Sequence, residues 1–279
     1  MRFKLKPSLG LALSGGGARG LAHIGVLKAL EEEGIKVDFI AGTSMGGFIA
    51  AAYALGYTPA QIEAEALRMG KFTSMASLLV DFSLPWKGLF EGKKFMDYFE
   101  EKFGDATFND TRIPLALVAV DLVSGEEVVI REGRIVDAVR ATVSVPGLFA
   151  PYTLGDKVLV DGGILNHLPA DVVRRMGADV VVAVDVGVEE EKSPIISNKA
   201  PPFFSVLWRT VEVMGKKVRE SKLKEASPDL LLSPPVNGDV SLLWGFHKAP
   251  EIIEAGYRET KEKIPLLRKL LRPRLLRGR

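Results

Sequence analysis

The chain contains no cysteine, which removes disulfides, thiolate nucleophiles and cysteine-ligated metals from consideration. Histidine is nearly as scarce: three residues in 279 leave few imidazoles for acid–base chemistry. An excess of charge of one sign is missing too. The formal net charge of +2 is too small to suggest a nucleic-acid surface, although the chain closes on the basic "LLRKLLRPRLLRGR". Long apolar runs are also lacking near the start, where "MRFKLKPSLGLALSGGG" holds a stretch of roughly five apolar residues, short of a signal-peptide core or a membrane span. We therefore expect a cytoplasmic protein, with peripheral membrane contact left open.

What is present reads as one α/β domain over 1–279, because 47% hydrophobic content at this length can bury a large single core. Apolar runs that read as strands alternate with helix-like segments. "LGLALSGGG" reads as a strand entering a glycine turn, "ARGLAHIGVLKALEEEG" as a helix ended by Gly34, and "KVDFIAGTS" as a second strand before the helix "MGGFIAAAYALG". Further strands are expected at "IPLALVAVDL", "EEVVIREG", "VLVDGGI" and "ADVVVAVDVG", with the helix "NHLPADVVRRMG" between the last two. That order predicts a mainly parallel central sheet with helices on both faces, since crossover helices are what join parallel strands. Two stretches break the rhythm and could border a substrate entrance. One is the aromatic, largely helical region between Pro59 and Asp110; the other is the polar, proline-bearing 189–202, whose residues 191–202 read as a flexible loop.

The cluster "SGGGARG" fits G-x-G-x-x-G through Gly15, Gly17 and Gly20, a dinucleotide fingerprint that alone is weak. The fingerprint also wants an acidic residue at the far end of the second strand, whereas Asp38 stands at that strand's start. A tight packing turn would account for one or two of these glycines. Consecutive glycines at a helix start can instead expose backbone N–H groups to an oxyanion, with Arg19 adding positive charge beside them or pairing with a carboxylate.

Ser44, set between Gly42 and Gly46 at a strand-to-helix junction, matches a nucleophile elbow; a helix cap by Thr43 or Ser44 is the simpler alternative. For its base, Asp161 in "VLVDGGILNHLPA" ends an apolar strand ahead of two glycines and is expected at the same strand-end rim as Ser44; the alternative is an Asp-Gly turn. Asp121 and Asp185 end strands without a glycine pair and are weaker candidates. His167, as a lone histidine on a helix start, reads as a packing or surface residue. His23 reads as helix support, and His247 lacks a glycine-framed strand end.

Together, "GGGARG" at Gly15–Gly20, "GTSMG" at Gly42–Gly46 and "DGG" at Asp161–Gly163, in that order, resemble the patatin-like phospholipase family. "SVPGLFAPY" and "NHLPADVVRRMGADVVVAVDVG" are similar to its bacterial members, including those akin to the neuropathy target esterase catalytic domain. The resemblance implies a three-layer sandwich and a serine acyl hydrolase acting on lipid or other acyl esters, without metal or cofactor. It makes Ser44 the nucleophile, Asp161 the base, and the amides of Gly15, Gly16 and Gly17 the oxyanion donors, supported by Arg19. Two other classes stay open: a nucleotide-binding protein using the glycine loop, and a non-catalytic lipid-binding protein with an unused elbow. The basic tail at 265–279, leucines interleaved with arginines, would meet anionic membranes or else pack its leucines on the core.

Overall fold

Strands that are apolar at every position must be covered on both faces, and the computed structural model, which describes residues 4–70, 91–187, 203–236, 240 and 245–275, bears this out. Every residue is buried in β1 (Leu9–Leu13), β3 (Leu115–Asp121) and β7 (Val180–Val184). They lie in one sheet with β2 (Phe39–Thr43), β4 (Glu127–Ile130), β5 (Tyr152–Leu154), β6 (Lys157–Asp161) and β8 (Leu230–Leu232). Five of these strands, β3, β2, β1, β7 and β8, run parallel in that spatial order.

The remaining three strands run antiparallel to their neighbours, so the sheet is mixed while its larger part is parallel, as expected. β4 is antiparallel to β3, and β5 and β6 form an antiparallel hairpin. Their connections, residues 122–126 and 155–156, are too short for a crossover, so the chain can only fold back on itself. Register then fixes an arrangement that positions the site. Val118 pairs with Thr43 on one edge and Val129 on the other, while the next residue, Ala119, pairs with Asp161 and Val128. β2 and β6 therefore share one edge of β3, running in opposite directions so that their C-terminal ends meet head-on.

Alternate strand side chains feed two cores. Leu9, Leu11 and Leu13 pack with residues of α1 (Ala22–Glu32), α2 (Met45–Ala54) and α8 (Ala249–Leu270), whereas Ala12, Ala41 and Val118 pack with α6 (Ala170–Arg175) and the C-terminal end of α7 (Phe203–Ala226). Helices thus cover both faces, as expected. α3 (Pro59–Met69), α4 (Lys93–Phe103) and α5 (Ile135–Thr142) join the first layer. α1 and α8 touch backbone to backbone: a methyl on Gly25 would sit 1.9 Å from the Ile253 oxygen, and one on Gly256 1.9 Å from the Ala22 oxygen.

The basic C-terminal segment divides. Residues 265–270 complete α8, with Ile264, Leu267 and Leu271 buried, and Arg274–Leu275 pairs antiparallel with Lys4–Leu5. Core packing therefore describes the leucines at 267 and 271, and a free tail beginning at residue 265 does not. The expected loop at 191–202 lies outside the described residues, as do 71–90 of the aromatic stretch. Among the described residues no helix is long and apolar enough to cross a membrane.

Candidate active site

Ser44 sits on the single residue between the end of β2 and the start of α2, with φ 54° and ψ −127°. Such a backbone is costly for a residue with a side chain and persists only where its surroundings enforce it. Both flanking glycines are obligatory. A methyl on Gly42 would lie 2.4 Å from the Gly46 oxygen, and one on Gly46 2.4 Å from the Ser14 oxygen. Thr142 holds the turn: its hydroxyl accepts the Ser44 N–H at 2.9 Å and donates to the Val118 carbonyl at 2.5 Å. The Ser44 side chain makes no helix-capping hydrogen bond and the Thr43 hydroxyl donates to the Asn166 carbonyl at 2.8 Å, so the cap alternative drops away.

Asp161 arrives at the end of β6, where that strand meets the end of β2. It shares the site of Ser44, although the route is an antiparallel strand and not the rim of a parallel sheet. The next residues explain the glycine pair. A methyl on Gly162 would press to 2.4 Å on the Val118 oxygen, and Gly163 donates its N–H to Asp161 Oδ1 at 2.7 Å. Ser44 and Asp161 are each 6% exposed. Burial pushes the Asp161 carboxyl up to about 6, against the opposing pull of the Ser44 hydroxyl and of the Gly163 amide. An aspartate raised this far is a usable base near neutral pH, which an ordinary exposed one is not.

The glycine loop requires one correction. The Gly15 N–H donates to the His167 carbonyl at 3.0 Å, so it is already committed and is no oxyanion donor. The backbone then turns sharply, with φ 154° at Gly16 and 55° at Gly17, conformations that suit glycine. Among the described residues the N–H groups of Gly16 and Gly17 donate to no backbone carbonyl. Met45, the first residue of α2, offers a further helix N-terminal amide beside Ser44 that the motifs did not single out. Arg19 stays within the loop's helical turn, its N–H donating to the Gly16 carbonyl at 3.2 Å.

The other candidates separate cleanly. Asp38 accepts the Leu9 N–H at 2.9 Å, at the opposite end of the strands from the glycine loop, which leaves the nucleotide reading without its ribose partner. Asp121 organises the β3–β4 turn through Val123 and Ser124, and Asp185 accepts from Gly187 and pairs with Arg219 at 3.2 Å. His247 is exposed in a short helical turn. His23 is buried, donating from Nε2 to the Ser14 carbonyl at 2.8 Å, and burial lowers it to about 4. His167 is also lowered by burial to about 4, and its ring lies beside Gly15 and Gly163. Among the described residues no group of three or more His, Asp or Glu side chains stands close enough together to hold a metal ion.

A cavity of about 540 Å³ opens at Ser44 and runs between α2, α3 and α4. Met45, Phe48, Phe95, Phe99 and Phe149 line it, with Phe48 and Phe99 rings 5.5 Å apart and Phe95 and Phe149 rings 5.1 Å apart. The expected aromatic entrance is thus a wall of this cavity, as far as its described residues go. On its α3–α4 side the lining turns polar at Glu65, which accepts from Tyr98 at 2.8 Å and Arg68 at 2.6 Å. Burial would raise Glu65, but these bonds, with the Lys102 charge, bring it down to about 2.

A strained serine on an elbow, a buried carboxylate facing it and free loop amides on an α/β sheet form the constellation of a serine acyl hydrolase. Residues 11–174 match the family model described as patatin-like phospholipase, and the chain belongs to that family. Patatin-like phospholipase domain-containing protein 6 of Homo sapiens is 32% identical over 276 residues, covering 91% of this chain and 20% of that protein. Lysophospholipase nte1 of Aspergillus fumigatus is 30% identical over 281 residues, 94% of this chain and 18% of its own length. The chain thus spans about a fifth of the curated relatives it matches. Among solved structures, VipD from Legionella pneumophila shares the fold at TM-score 0.51 and 15% identity, covering 92% of this chain and 66% of VipD.

Sequence reasoning missed Thr142, Ser14, whose hydroxyl accepts the Val186 N–H at 3.0 Å, and the contacts of His167. Thr142 and Ser14 carry no motif signal. His167 had one, its place six residues after Asp161.

Proposed function

We propose that this chain hydrolyses carboxylic esters of lipids, whether phospholipid, lysophospholipid or other fatty acyl esters, through a Ser44–Asp161 dyad and an acyl-enzyme. The observation that carries the reading is the continuity of the apolar cavity with the Ser44 elbow, which offers an acyl chain a water-poor seat beside the nucleophile. Ser44 attacks the ester carbonyl as its proton passes to Asp161, and the Gly16 and Gly17 amides receive the oxyanion. Collapse expels the alcohol, which takes the proton from Asp161. Water, deprotonated in turn by Asp161, then attacks the acyl-Ser44 ester and releases the fatty acid. Names of the relatives, phospholipase and lysophospholipase, support lipid esters as the substrate class.

Peripheral contact with a lipid surface belongs to the same proposal. It is supported by Leu122 and Val123, 52% and 73% exposed on the β3–β4 turn that projects past the end of β2. Turnover of glycerophospholipid and lysophospholipid vesicles beside short p-nitrophenyl esters tests the substrate class. Activity on long acyl esters is expected; cleavage of short esters alone would remove the lipid part and leave the nucleophile.

A further inference from the structure

The ring of His167 occupies the space between the two loops that the proposed reaction needs. A methyl group on Gly15 would touch the His167 ring at 3.0 Å and Ser44 Cβ at 3.3 Å; one on Gly163 would touch Asp161 Oδ1 at 3.0 Å and His167 Nδ1 at 3.3 Å. A methyl at Gly15 would thus touch both the imidazole and Ser44, and one at Gly163 both the imidazole and Asp161. The His167 backbone carbonyl also accepts the Gly15 N–H at 3.0 Å, and the Nδ1 edge of the ring lies against the Gly15 backbone, which pulls the ring's proton affinity upward. Gly15 is therefore gripped twice by one residue, and it is the hinge from which Gly16 and Gly17 project. The ring's Nε2 is buried and has no hydrogen-bond partner among the described residues.

We propose that His167 is a positioning residue: its carbonyl and its ring together fasten Gly15, and so aim the Gly16 and Gly17 amides at the acyl carbonyl above Ser44. This rests on the dyad reading given above. The charged groups facing the ring are Asp185 at the end of β7 and Arg219 of α7, with His23 of α1 nearby. Burial holds the imidazole neutral through the neutral pH range, so it supplies shape and a polar edge against the Gly15 backbone instead of a charge. Oxyanion donors act on the transition state more than on the bound ester, so their misplacement lowers kcat and spares KM.

The test measures ester hydrolysis and fluorophosphonate labelling of the full chain, with rates normalised to titrated Ser44 sites. In His167→Ala we expect kcat to fall about 10- to 100-fold with KM within about twofold, a loss typical of weakened oxyanion donors and their supports. His167→Gln, which keeps an N–H donor and most of the volume, recovers most of the rate. His167→Phe, which keeps the volume alone, stays low. The pH midpoint of His167→Gln matches that of the parent. A His167→Ala rate per titrated site equal to the parent's, or full recovery in His167→Phe, overturns the positioning role. A shifted midpoint in His167→Gln overturns it in favour of a base. Absence of labelling in the parent chain instead refutes the underlying dyad reading, which keeps the two failures distinct.

Discussion

Ser44 and Asp161 stand at the ends of two strands that meet head-on along one edge of β3, where Val118 pairs with Thr43 and Ala119 with Asp161. Neither strand can continue without colliding with the other. The chain leaves the sheet at that point twice, once into α2 through the Ser44 elbow and once into the Gly162–Ile164 turn. The proximity of hydroxyl and carboxylate is thus fixed by sheet register, with the glycines on either side making room.

The elbow tolerates no side chain at either glycine. Gly46→Ala would place a methyl 2.4 Å from the Ser14 oxygen and 2.5 Å from the Leu13 oxygen, both backbone atoms of the neighbouring strand end. We expect loss of fluorophosphonate labelling and a clear drop in thermal stability, read by intact mass and calorimetry. Normal labelling of Gly46→Ala would show that the turn is looser than its geometry implies.

Asp161→Asn should separate stability from activity. The folded pKa of about 6 exceeds the ordinary 3.8, so the contribution of this group to stability is present below 3.8 and lost as pH rises through 6. Ionised Asp161 therefore weakens the fold at pH 8 by up to about 3 kcal/mol. We expect Asp161→Asn to lose activity by orders of magnitude while unfolding at higher denaturant than the parent at pH 8. The gap should close near pH 4. Equal stability at pH 8 would mean that the carboxylate is better solvated than its burial indicates.

His23 and His167 act in the opposite sense. Both are lowered by burial to about 4, so the stability they contribute is complete above 6.5 and lost as pH falls through 4. Two histidines outweigh the single aspartate over that range, and unfolding free energy should decline from pH 6.5 to pH 4. His23→Gln should flatten the decline. A profile that is flat from pH 6.5 to pH 4 in the parent chain would contradict it.

Contact with lipid surfaces, if it runs through the β3–β4 turn, should respond to that turn and not to the chain end. Co-sedimentation with anionic phospholipid vesicles is expected to drop in the double variant Leu122→Asp, Val123→Asp. It should persist after truncation following Arg272, which spares the buried Leu267 and Leu271. Undiminished binding of the double variant would assign the contact elsewhere.

Much of this was legible in the sequence because local chemistry and fold agreed. Gly42 and Gly46 announced a sharp turn, the continuous apolar runs at 9–13, 115–120 and 180–184 announced strands covered on both faces, and Gly34 ended α1 where expected, at φ 62°. What escaped depended on long-range pairing. No local pattern says that β6 runs against β3, since direction is set by the two-residue 155–156 turn and by pairing with a strand some forty residues earlier. Gly15 reads as a donor because sequence cannot show that the His167 carbonyl, 152 positions away, has claimed its N–H. Thr142, which holds the Ser44 amide from 98 positions away, was invisible for the same reason.

The proposed dyad requires Asp161 to take the proton of Ser44, and the pH dependence of Ser44 labelling by a fluorophosphonate reads that transfer without any knowledge of the natural substrate. In the parent chain the rate should rise with pH through a midpoint near 6, the value to which burial lifts Asp161, with the adduct mapped to Ser44. Asp161→Asn should lose the rate and its midpoint together. His23→Gln and His247→Gln should keep both, and His167→Gln the midpoint. Labelling that survives in Asp161→Asn, or that vanishes in a folded His23 or His247 variant, would contradict the dyad and require a histidine base.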